Sequence, residues 1–115
     1  MKVYYNKSCN ICRAEINLYK KQNIKEIEWV DVTRNKKAEI DTLKNEKDLL
    51  RRLHVEKNGK IHSGAKAFLI VWKEIPKYRI FYYIFKLPII FNIFSAVYEL
   101  VAYFLYLKNK NQLNN

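Results

Sequence analysis

Polar and apolar positions alternate in short bursts over the first two thirds of the chain and then give way to an almost continuous apolar stretch. Val3-Tyr4-Tyr5 is a short apolar run that reads as a first strand. Over residues 9–22 the spacing becomes helical: Ile11, Ala14 and Leu18, with Cys12, Ile16 and Tyr19 beside them, should form a broad buried face, with Ser8 as the N-cap and Asn23 as the stop. Alternation returns in Ile27-Glu28-Trp29-Val30-Asp31-Val32, a second strand that a right-handed crossover would set parallel to the first. Residues 34–53 are strongly charged, with Ala38, Ile40, Leu43, Leu49, Leu50 and Leu53 interspersed, and read as one or two exposed helices broken near residues 45–47. Asn58-Gly59 is a preferred type I′ turn and joins His54-Val55-Glu56-Lys57 to Lys60-Ile61-His62-Ser63 as a hairpin. Gly64 then opens a helical run that ends before Pro76.

Residues 78–107 are different in kind, with only Arg79, Lys86 and Glu99 charged. Pro88 divides them into two helices and sits where a helix start tolerates proline. Residues 87–107 are long enough to span a bilayer. Against a crossing stand Asn92, Ser95 and Glu99, because a charge at mid-depth costs ~2.5 to 3.5 kcal/mol on insertion scales. Aromatics are also spread along the segment instead of being gathered at its ends. The division expected is a core over 1–75, a helical extension over 76–107 packed on that core, and a polar tail over 108–115 that frays. Part of the aromatic surface should stay exposed, to be covered by a homodimer partner or by peripheral contact with an anionic membrane.

Chemistry enters with Cys9 and Cys12, the only two cysteines, placed where the first strand hands over to the first helix. A helix N-terminus lowers the pKa of a leading thiol, and a two-residue spacer lets the second sulfur reach the first. A mixed disulfide made at Cys9 can then be resolved by Cys12, with Cys9 expected to be the more exposed and more acidic thiol. Lys7 would add positive potential, Arg13 is a candidate for the same role or a plain solvent-facing helical arginine, Asp31 is a candidate proton acceptor or turn cap, and His54 a candidate for the same edge of the sheet. Trp29 and Trp72 are most simply core. Half of a zinc site is the other reading of such a pair, but no second cysteine pair exists, and His54 and His62 are separated by seven residues. No metal or cofactor is therefore assigned. The element order, taken together with the position of the cysteine pair at the first strand-to-helix turn, points to a mixed α/β protein with a thioredoxin-like β-α-β-α-β-β-α core and an added C-terminal aromatic helical pair.

At 115 residues the chain is one domain, and its 22 Lys and Arg against 11 Asp and Glu give a net charge of +11. That field favours acidic partners, but no phosphate loop, RNA-binding aromatic signature or zinc finger accompanies it, so specific nucleic-acid recognition is not expected. The residues after Met1 do not build the apolar run of a secretion signal, so the expected compartment is the cytoplasm, with association to a membrane through the last third as an addition.

The residues Tyr5-Asn6-Lys7-Ser8-Cys9-Asn10-Ile11-Cys12, the Trp29-Val30-Asp31 strand end, the stretch from Asn58-Gly59 through Gly64-Ala65-Lys66-Ala67-Phe68, and a terminal helix containing Tyr98 together resemble the DCC family of thiol-disulfide oxidoreductases. The resemblance implies a thioredoxin-like enzyme that takes a disulfide substrate and a thiol electron donor. It also exposes a departure: the family usually carries Asp-Gly where this chain has Asn6-Lys7, and Asn6 can hydrogen-bond but cannot titrate. Thioredoxin itself places a cis-proline before its third core strand, whereas Leu53-His54 stands there here. A noncatalytic membrane- or partner-associated module with a regulatory dithiol, and a Cys/His metal-handling module, are the alternatives.

Overall fold

Val3 and Tyr5 point to one side of the first strand and Tyr4 to the other, and that division organises the molecule. In the computed structural model, which describes residues 1–113 and their side chains through Lys108, β1 (Lys2–Tyr5) runs parallel to β2 (Glu28–Asp31) and antiparallel to β3 (His54–Lys57). β3 forms a hairpin with β4 (Lys60–Ser63), so the sheet order is β2-β1-β3-β4. On one face Val3, Tyr5 and Val55 pack with Ile16 and Tyr19 of α1 (Asn10–Lys20) and with Ala67 and Val71 of α4 (Ala65–Glu74). On the other, Tyr4 and Val32 meet Ala38 of α2 (Lys36–Thr42) and Leu49 of α3 (Glu46–Arg51). The mixed sheet of four strands with helices on both faces fits a thioredoxin-like arrangement.

The charged stretch resolves into two short helices for reasons legible in its polar residues. Asn35 and Asn45 turn their Oδ1 atoms onto the N–H groups of Ala38 (3.1 Å) and Asp48 (2.9 Å), capping α2 and α3, while Leu43 closes α2 in the left-handed region at φ +58°. After α4, a single 3₁₀ turn (Pro76–Tyr78) leads into α5 (Arg79–Phe85), and Pro88 opens α6 (Pro88–Leu113) at its first position. The helix α6 packs on α3 and α4.

Two expectations are corrected. Ser8 does not cap α1; its N–H and hydroxyl both donate to Asn6 Oδ1, and Cys9 is the cap. The buried stripe of α1 is Cys12, Glu15, Ile16 and Tyr19, whereas Ile11, Ala14 and Leu18 face outward. Both stripes have helical spacing, and the sheet accepts only one of them. α6 runs on through Leu113, into the polar tail over 108–115; Asn114 and Asn115, the rest of that tail, lie outside the described residues.

The hairpin forms at its expected residues, with Asn58 at φ +54° and Gly59 at φ +78°. A Cβ on Gly59 would meet nothing within 4 Å, so the cost of a side chain there is conformational alone. Gly59→Val is expected to lose about 1–2 kcal/mol, read as a lower urea midpoint, without altering thiol reactivity.

Candidate active site

The C-terminal end of β1 delivers the chain into a loop organised by Asn6. Its side chain is buried; Oδ1 accepts the Ser8 N–H at 3.0 Å and the Thr33 hydroxyl at 3.4 Å, and Nδ2 donates to the Leu50 carbonyl at 3.4 Å. Its backbone carbonyl accepts the Cys9 N–H at 3.3 Å, which closes the loop ahead of α1. Asp31, at the end of β2, ties the same loop down from the other side: its Oδ1 accepts the Lys7 N–H at 3.2 Å and both the N–H and hydroxyl of Thr33. Asp31 is thus a turn cap and a tether for the dithiol loop.

Cys9 occupies the N-cap of α1, with extended backbone angles, and its Sγ accepts the Cys12 N–H at 3.3 Å. One of the four N–H groups that a helix start leaves unpaired is therefore spent on sulfur, an arrangement that stabilises a thiolate. The exposure expected of the pair is reversed. Cys9 is 1% exposed and Cys12 is the partly exposed one. The Cys9 sulfur beside it, and then burial, push the Cys12 thiol well above the usual range, so Cys12 is held protonated while Cys9 stands next to it.

Both cysteines line a groove of about 280 Å³ that is almost wholly apolar. Its floor comes from α1 and α4, one rim from residues 50–53 at the C-terminal end of α3, and its far wall from α6 through Phe94, Tyr98 and Ala102. Two contacts hold that wall. The Tyr98 hydroxyl accepts the Leu53 N–H at 2.8 Å, and Arg52 Nε donates to both carboxylate oxygens of Glu99, at 3.0 and 2.9 Å. Tyr98 also lies 3.5 Å from where a Cβ on Gly64 would sit. The last helix is therefore a component of the site.

Glu15 lines the same groove one turn beyond Cys12, and burial raises its carboxyl above the usual carboxylate range. It accepts the Tyr19 hydroxyl, which in turn accepts the Trp72 Nε1–H at 2.9 Å. Sequence reasoning passed over Glu15, although its i+3 relation to Cys12 places the two on one helix face. Tyr98 was noted only as part of a family pattern, and the Arg52–Glu99 pair carried no local signal.

The remaining candidates lie elsewhere. Arg13 is exposed and its Nη2 donates to Asn10 Oδ1 at 3.0 Å. Lys7 is exposed and contributes its backbone N–H to the loop. His54 does not face the dithiol: it stands opposite Tyr4 in the β1–β3 ladder, on the face covered by α2 and α3, with Nδ1 2.9 Å from the Arg52 carbonyl. Burial lowers its pKa, so it sits there neutral. Among the described residues, no cluster of three His, Cys, Asp or Glu side chains is placed to hold a metal ion.

Compared with known proteins, residues 3–110 match the family model described as DCC1-like thiol-disulfide oxidoreductase. No curated protein and no solved structure matches the chain.

Proposed function

The chain belongs to the DCC1-like thiol-disulfide oxidoreductase family, and from that premise we propose that Cys9 and Cys12 are its working dithiol, with Cys9 the attacking sulfur and Cys12 the resolving one. The observation that carries this reading is the place of Cys9 at the helix cap, where its Sγ accepts the Cys12 N–H; the neighbouring sulfur and burial raise the Cys12 thiol. The Cys9 thiolate attacks one sulfur of a substrate disulfide, forming a mixed disulfide and expelling the first substrate thiolate. Cys12 gives up its proton, its sulfur attacks Cys9, and the second substrate thiolate leaves. The substrate disulfide ends as two thiols, Cys9 and Cys12 end as a disulfide, and a thiol donor restores them.

The proton on Cys12 needs an acceptor once Cys9 is in the mixed disulfide. Glu15 is the group we assign, since it lines the same groove on the same helix face and its raised carboxyl pKa brings it nearer to neutrality. Asn6, standing where the family resemblance places an aspartate, can hydrogen-bond but cannot take up a proton.

Alkylation of the reduced protein, followed by mass spectrometry across pH, tests the assignment. Iodoacetamide is expected to label Cys9 first at neutral pH despite its burial, since reactivity follows the thiolate and the groove admits a small reagent. In Cys9→Ala the neighbouring sulfur is gone, and the labelling midpoint of Cys12 should fall by about one pH unit or more. Labelling of Cys12 ahead of Cys9 in the unaltered protein would reverse the roles.

A further inference from the structure

The C-terminal helices leave a large apolar face without a partner in the fold. On α6 the exposed side chains Ile89, Ile93, Val97, Leu100 and Phe104 fall within about 100° of the helix circumference, and Ile84 of α5 is exposed as well. Residues Pro88–Lys108 are long and apolar enough to cross a membrane, and little of that span is buried. Two features set the orientation. The side of α6 opposite the exposed stripe is bound into the domain at mid-helix by the Tyr98–Leu53 hydrogen bond and the Glu99–Arg52 ion pair, both of which a crossing helix would have to break inside hydrocarbon. The charges around the face are also of one sign. Both acids between residues 73 and 108 are engaged with the core, Glu74 with Lys57 and Glu99 with Arg52, whereas Lys73, Lys77, Arg79, Lys86 and Lys108 are exposed. Lys86 and Lys108 bracket the apolar stripe at its two ends, where long cationic side chains can reach headgroups while the stripe is immersed.

We propose that the exposed face of α5 and α6 seats on an anionic lipid bilayer, with α6 lying in the plane of the interface. Charge complementarity selects this occupant, because a second copy of the same face would bring its own cations against these. Val97 and Val101 belong both to the exposed surface of α6 and to the groove beside the dithiol, so a seated molecule has its groove opening at the membrane surface. The seating is independent of the redox assignment, and its test does not use activity.

Flotation of the full chain with phosphatidylcholine vesicles, prepared with and without phosphatidylglycerol, reads the proposal directly. Binding is expected on the anionic vesicles only, and it should weaken as salt rises. Lys77→Ala and Lys86→Ala should each reduce it about fivefold, at ~1 kcal/mol per cation near the surface. The double variant Ile93→Glu, Leu100→Glu should abolish it while circular dichroism stays unchanged, since neither side chain is in the core. Equal binding to neutral vesicles, a carbonate-resistant membrane pellet from cells, or a stable lipid-free dimer that does not float but is dissociated by the double variant would each overturn it.

Discussion

Cys12→Ser is expected to accumulate mixed disulfides with oxidised client molecules, and Cys9→Ser to accumulate none. In the first variant the attacking sulfur keeps its place at the helix cap, and only the thiol that would release the substrate is missing. In the second, a hydroxyl at the cap position cannot form the first bond, and Cys12 lacks the exposed N–H groups of the helix start that favour a thiolate. Reduction of a model disulfide should fall to background in both. Non-reducing gels of the purified variants after incubation with oxidised glutathione or an oxidised peptide separate the two, and trapping of equal extent in both would remove the distinction between attacking and resolving sulfurs. Glu15→Gln belongs in the same series: attack by Cys9 should be retained, while release of the mixed disulfide slows and becomes more dependent on pH.

The second large effect lies far from the dithiol in sequence. Tyr98→Phe removes one oxygen and leaves the buried Leu53 N–H without its acceptor, which should cost about 1–3 kcal/mol. For a domain near this size that corresponds to a fall in Tm of roughly 4–8 °C per kcal/mol. The same substitution frees the wall of the groove, so labelling of Cys9 by bulky maleimides, which a closed groove retards, should accelerate relative to labelling by iodoacetamide. A drop in Tm with no change in that ratio would make Tyr98 a stability residue only. Glu99→Gln, which weakens the adjoining ion pair without emptying space, should move the ratio in the same direction by a smaller amount.

The elements whose determinants are local were legible in the sequence. The type I′ turn at Asn58-Gly59, the two prolines that end α4 and start α6, and the strand alternation over residues 27–32, of which 28–31 form β2, each depend on neighbours a few positions away. α1 shows where that reasoning runs out. Ile11, Ala14 and Leu18 make as good a helical stripe as Cys12, Ile16 and Tyr19, and only the position of the sheet decides which is buried. The loop before the dithiol is likewise held by Asn6 and Asp31, residues that are distant from one another in sequence. Strand position alone does not say which face of the sheet His54 meets; its register opposite Tyr4 does. The groove was least visible of all, since Tyr98 and Glu99 join Leu53 and Arg52 across a long stretch of chain, and no periodicity encodes such a meeting.

That meeting also sets an order in time. A ribosome adds about 5–20 residues per second, so Cys9 and Cys12 leave it several seconds before Tyr98 does. Throughout that interval the wall that shields them has not been made, and the nascent dithiol is open to any oxidant large or small. On the proposed reading of Cys9 and Cys12 as the working dithiol, selectivity at the groove is gained only with the docking of its last helix, and a nascent chain stalled before that point would carry the pair without that wall.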